Sequence, residues 1–203
     1  VYRKSLDYSA IGEIRAMKDR INEKVGRDQE TFRHVKLGYG GIREVEFIVQ
    51  TFQLLYGAAD PWIREPNTLR ALQRLADRGQ LTADEHAKLA AAYTFLRTVE
   101  HRLQILHHLQ THTLPTDRDD LTKLARRLGY SPSRSPDPAA DMQRDYQRHI
   151  EAVRQMYDHL LREPVLEERE ISSHPLAAFF DGRVDDGEVR ETLAEVGIAD
   201  LDR

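Results

Sequence analysis

Apolar residues recur along this chain every three or four positions, with polar and charged residues between them. Positions three and four apart share one face of an α-helix, so the pattern predicts helix after helix. Ile11, Ile14, Met17, Ile21 and Val25 mark the first, with Gly26 placed to end it. Ile42, Val45, Ile48, Val49, Phe52 and Leu55 mark a second that stops at Gly57. Residues 57–66, with Pro61 and Pro66, read as a connector. Leu69, Leu72 and Leu75 define a third helix, closed by Gly79. Thr82 followed by Glu85 is a capping box, in which each residue's side chain accepts from the other's backbone N–H. It opens the longest run, through Leu89, Tyr93, Leu96, Val99, Leu103 and Leu106 to about His108, and Pro115 breaks it. A short helix is expected over 119–128, ended by Gly129, and another over 139–161 after the loop SPSRSPDP. Strand-like alternation is absent. The expected fold class is all-α, a bundle of about five to seven helices with no sheet.

The tail differs in kind. REPVLEEREISSHP has two prolines and a charge-rich middle, and reads as a linker. One short helix beyond it, over 186–196, cannot bury its own face. The expected organisation is a helical bundle over residues 1–165, then a linker and the truncated start of a further helical region over 166–203. The opening at Val1, without a methionine, likewise reads as part of something longer.

Composition narrows the function. The 203 residues carry 32% charged and 40% hydrophobic side chains, ordinary for a soluble chain able to bury a core. A net charge of −4 with no dense basic block argues against nucleic acid or an anionic membrane surface as partner. With no cysteine, disulfides, thiolate catalysis and thiolate metal sites are excluded, and a cytoplasmic location fits. No stretch approaches the roughly 18 apolar residues of a membrane helix, and the opening residues do not read as a signal peptide.

Few residues offer chemistry. Asp117 and Asp119 resemble a carboxylate pair for magnesium, but they stand where a loop meets a helix N-terminus, where the macrodipole favours acids anyway. His101, His107, His108 and His112 cluster near a helix end, and His108 and His112 have a spacing that suits zinc. No acid completes a metalloprotease motif, and the C-terminal dipole favours histidines there without a metal. Serine-nucleophile motifs and the phosphate loop of nucleotide hydrolases are missing.

The remaining motif is KLGYGGIREVEF, residues 36–47, with three glycines in four residues ahead of a helix. A dinucleotide-binding fingerprint must follow a strand, and here DQETFRHV precedes it, so that reading is rejected. Two readings stay open. Gly38, Gly40 and Gly41 either only bend the chain into the helix, or they bring backbone N–H groups, beside Lys36, close to a phosphate or carboxylate. Glu44 and Glu46 are two apart and point to different sides, whereas Arg43 and Phe47 share a face.

The strings SLDYSAIGEIRAMKDRI, VKLGYGGIREVEFIVQTFQLLYG and the run from NTLRALQRL to HHLQTHTLP resemble, in that order, the bacterial glutamine synthetase adenylyltransferase/deadenylylase family. The resemblance covers residues 1 to about 165 well and the tail weakly. Its members have two similar halves, each a nucleotidyltransferase domain followed by a helical domain. One half attaches AMP to a tyrosine of glutamine synthetase, and the other removes it by phosphorolysis. GGIREVEF is similar to the removing, N-terminal half, since the other half tends to carry an acid in place of Arg43. The resemblance therefore implies the helical domain that follows the N-terminal catalytic core. It also implies magnesium and ATP, ADP or phosphate in the parent enzyme, and glutamine synthetase and the PII signalling protein as partners.

The chain departs from the family's catalytic pattern. It has no Gly-Ser loop and no Asp-x-Asp pair on a sheet, and its own such pairs, at 117/119 and 200/202, are misplaced. It is expected to contain no catalytic and no metal-binding residue and to be inert alone. The glycine loop is expected to press on the nucleotidyltransferase domain at the edge of its nucleotide cleft. Lys36 and Arg43 would face phosphate oxygens or catalytic carboxylates there, while Glu44 or Glu46 fixes Arg43 or caps the loop. The alternatives are a regulatory module that docks PII or glutamine synthetase, and the related PII uridylyltransferase. That enzyme has a comparable glycine motif but a poorer match to AYTFLRTVEHRL.

Overall fold

The computed structural model describes residues 32–107, 112–131, 133 and 136–160, together with Ala16 and Arg20. Apart from Ala16 and Arg20, the helix expected over 11–25 lies outside the described residues, as does the tail from 166 onward. Within them the chain forms five α-helices: α1 Ile42–Tyr56, α2 Thr68–Asp77, α3 Ala83–His107, α4 Arg118–Arg127 and α5 Pro138–Leu160. The all-α expectation is met. Among the described residues the nearest approach to strand structure is an isolated antiparallel bridge between His34 and Thr113.

Each helix begins and ends for a local reason. Gly41 precedes α1 in extended conformation, and Gly57 ends it with its N–H on the carbonyl of Gln53. Asn67, which periodicity did not single out, caps α2 by accepting from the N–H of Arg70 at 3.1 Å. The capping box forms: Thr82 N–H donates to Glu85 Oε2 at 2.8 Å and Glu85 N–H to Thr82 Oγ1 at 3.2 Å. Pro138 takes the first position of α5, where its missing N–H costs nothing.

The core is a seam of helix faces. Leu89, Ala92, Leu96, Val99 and Leu103 of α3 are buried, a stripe stepping by three and four residues. It meets Met142, Tyr146, Ile150, Val153, Tyr157 and Leu160 of α5, which pack against it more extensively than any other pair of helices. Ile42, Val45, Ile48, Val49 and Phe52 of α1 are buried as well, and α1 packs on α5, α2 and α3. The start of α1, where the glycine motif lies, is thereby held against the middle of α5. No helix among the described residues is long and apolar enough to cross a membrane.

Candidate functional site

The glycine loop is held from below by the bridge. Val35 N–H donates to the carbonyl of His112 at 2.8 Å and Leu114 N–H to that of Arg33 at 2.9 Å. From there the chain folds back on itself, with Gly38 N–H on the carbonyl of His34 and Gly41 N–H on that of Gly38. Ile42 and Arg43 donate to the carbonyls of Val35 and Lys36, both at 3.1 Å, and Glu44 to that of Gly41. Gly40 N–H donates to Glu44 Oε2 at 3.2 Å. The N–H groups from Gly40 to Glu44 thus each have an acceptor within the loop and first turn. The row of open donors that a phosphate cradle needs is not present in this arrangement.

The glycines are required by a close approach inside the chain. Gly40 has φ +65°, and a Cβ there would stand 1.9 Å from the carbonyl oxygen of Ile150 on α5. At Gly41 a Cβ would meet the carbonyls of Gly38, Val35 and Lys36 at 2.8–2.9 Å. Gly38, Gly40 and Gly41 are all buried. Gly40 meets the backbone of α5, and Gly41 meets the loop's own carbonyls.

Glu44 turns inward with the glycines, its side chain only 4% exposed. Its Oε1 accepts from Arg154 Nη1 at 2.8 Å. Arg154 Nε donates to Asp158 Oδ2 at 3.0 Å, and the guanidinium lies over the rings of Tyr39 and Tyr157 at 5.0 and 5.1 Å. Burial raises the Glu44 carboxyl above the usual range against the opposing pull of Arg154. For Arg154, burial opposes the charge, and Glu44 and Asp158 more than offset it, so its pKa is raised.

Of the other charged residues of the motif, Arg43 is the most exposed. Arg43 is 60% exposed, with a loose 3.4 Å pair to Glu46. Lys36 is half-buried, and the adjacent Leu37 is exposed. The motif therefore has two sides: Gly38, Gly40, Gly41 and Glu44 within the fold, and Arg43 towards solvent, with Lys36 and Glu46 half-buried. Glu44 caps the loop and Glu46 meets Arg43.

Behind the loop lies a cluster that the sequence reading missed. Glu100 is buried on α3, with Arg97 Nη1 at 2.6 Å from one oxygen. His112 Nδ1 stands 3.0 Å from the other without hydrogen-bond alignment. His34 stacks on His112, ring centroids 5.9 Å apart, and accepts from Leu37 N–H through Nδ1 at 3.0 Å. Of the histidines considered for zinc, His101 is exposed, His112 belongs to this cluster, and His108 lies outside the described residues.

Several of the described carboxylates are engaged by other partners. Asp117 caps α4, accepting from the N–H groups of Asp119 and Asp120. Glu65 is held by Arg70 and Arg74, Glu85 by the capping box, Glu44 by Arg154 and Glu100 by Arg97. Among the described residues no three His, Cys, Asp or Glu side chains converge as a metal would require.

Arg154, which lies over Tyr39 and holds Glu44, is not among the residues singled out from the sequence. A signal existed: Arg154 stands four residues after Ile150 and three before Tyr157, so it interrupts an apolar stripe with a charge.

Comparison with known proteins adds identity. The chain is 37% identical over 199 residues to a Brucella melitensis protein named bifunctional glutamine synthetase adenylyltransferase/adenylyl-removing enzyme, covering 97% of this chain and 19% of that protein. It is 36% identical over 199 residues to the Rhizobium meliloti protein of that name, again 97% of this chain and 19% of the other. To the Bradyrhizobium diazoefficiens one it is 41% identical over 162 residues, 79% of this chain and 16% of the other. The chain thus spans about a fifth of the length of the curated relatives it matches. The family model described as GlnD PII-uridylyltransferase matches residues 15–161, which include the glycine loop and all five described helices. The chain belongs to that family.

Proposed function

We propose that this chain is the helical domain of a bifunctional glutamine synthetase adenylyltransferase/adenylyl-removing enzyme, and that it serves the AMP-removing half. The observation that carries this reading is the two-sided glycine motif in a chain whose relatives bear that name. The inward side, Gly40, Gly41 and Glu44, builds the fold, while the outward side offers Arg43 as an exposed cation on a fixed turn. A guanidinium in that position suits phosphate oxygens or the carboxylates of a metal site on a neighbouring nucleotidyltransferase domain. Such a domain would supply the magnesium, the nucleotide or phosphate, and the phosphoryl chemistry. Residues 1–203 by themselves would provide docking and one charged contact and would not turn over. PII and glutamine synthetase are the proposed partners, in the cytoplasm.

The description of the matching family favours a second reading, a domain of an enzyme that transfers UMP to PII. The complete protein containing this chain separates the two. It is incubated with adenylylated glutamine synthetase and phosphate, and separately with PII and UTP. Release of ADP from the first mixture with no labelling of PII in the second is the expected result. UMP transfer to PII without AMP removal would replace the first reading by the second.

A further inference from the structure

Resting on the reading above, we infer that Arg154 is a positioning residue for Arg43, acting through Glu44 and Tyr39 to fix the turn from which Arg43 projects. Arg43 and Glu44 are consecutive on the first turn of α1, so the direction of one side chain sets that of the other, about 100° away around the axis. Glu44 stays inside because Arg154 compensates its charge at 2.8 Å, and Gly40 N–H takes its second oxygen. The same guanidinium lies over Tyr39, in the middle of the glycine loop. Asp158, one turn further along α5, holds its Nε. Three elements of the site thus meet at one side chain: the loop, the first turn of α1 and the C-terminal part of α5.

Planarity is what the position uses. A guanidinium donates in two directions within its plane while offering its face to a ring, whereas an ammonium is a point donor with no face. Lysine at 154 would keep the charge beside Glu44 but could not also hold Asp158 and cover Tyr39. The turn would then be held by fewer contacts, and Arg43 would sample directions away from its target. Arg154 touches neither phosphate nor nucleotide in this scheme.

The test uses the complete protein and the rate of AMP removal from glutamine synthetase, with Arg154→Lys, Arg43→Ala and the double variant, and the melting temperature of each. Arg154→Lys should lower kcat about tenfold, the loss expected of one displaced charge-assisted contact, with a melting temperature near that of the parent. The double variant should be no slower than Arg43→Ala, because a positioning residue has nothing left to position. Full activity of Arg154→Lys, or losses that multiply in the double variant while Arg43→Ala alone is impaired, would overturn this inference and leave the proposed function standing. Full activity of Arg43→Ala would overturn both.

Discussion

Arg154 Nη1 donates to Glu44 Oε1 at 2.8 Å, a contact between residues 110 apart in sequence that ties the first turn of α1 to α5. Both side chains are largely buried, so neither charge can return to water without opening the loop. A buried pair is costly to break from one side and much cheaper to remove whole. Arg154→Met should therefore destabilise the chain by about 3 kcal/mol, because Glu44 is left charged without compensation. Adding Glu44→Gln should restore much of that loss. Urea denaturation of the two single variants and the double variant measures the coupling, and strictly additive losses would show that the two side chains are independent.

A second prediction compares glycines. Gly40 and Gly79 both have positive φ, +65° and +71°, but only Gly40 faces an obstacle. Alanine at 79 should cost about 1 kcal/mol, the penalty of a left-handed conformation alone. At 40 the added methyl must displace the Ile150 backbone, so the cost should reach about 3 kcal/mol or more. Equal melting temperatures for Gly40→Ala and Gly79→Ala would mean that the loop does not press on α5.

The third prediction is a pH dependence. Burial, and next to it the charge of His112, hold the His34 imidazole below its usual range. Lys36 also disfavours its protonation and Glu100 favours it. The unfolded chain therefore takes up this proton first as pH falls. The stability that His34 contributes is present above its ordinary value of 6.5 and is lost as pH drops through the depressed folded value. Protonation at Nδ1 would also remove the acceptor for Leu37 N–H. The melting temperature should fall on going from about pH 7 to about pH 5, and His34→Asn should flatten part of that fall. His149, whose pKa is lowered by burial and Arg148, contributes in the same direction. An unchanged pH profile in His34→Asn would remove His34 from the effect.

Periodicity made the helices legible because each buries one face. Ile42 through Leu55 and Leu89 through Leu103 are stripes that only helical geometry can bring together. Boundaries were legible where a side chain or glycine acts locally, as at Thr82, Glu85 and Gly57. The site was half legible. The glycine motif pointed to a close approach of backbone, which Gly40 makes. What the loop approaches could not be read, since the contact of Gly40 with Ile150 spans two elements far apart in sequence. Arg154 is marked by the charge it sets in an apolar stripe, but its partner was hidden for the same reason: Glu44 belongs to a different helix.

The measurement that bears most directly on function is the pair of rates, AMP removal and AMP addition, in the complete protein with Arg43→Ala. Arg43 is 60% exposed and its pair with Glu46 is loose, so its loss should cost less than about 1 kcal/mol of stability. The proposed role predicts removal slowed at least about tenfold, with addition of AMP and the melting temperature unchanged. Removal at the parent rate, with or without a lower melting temperature, would contradict it and leave the glycine motif as a structural joint between α1 and α5.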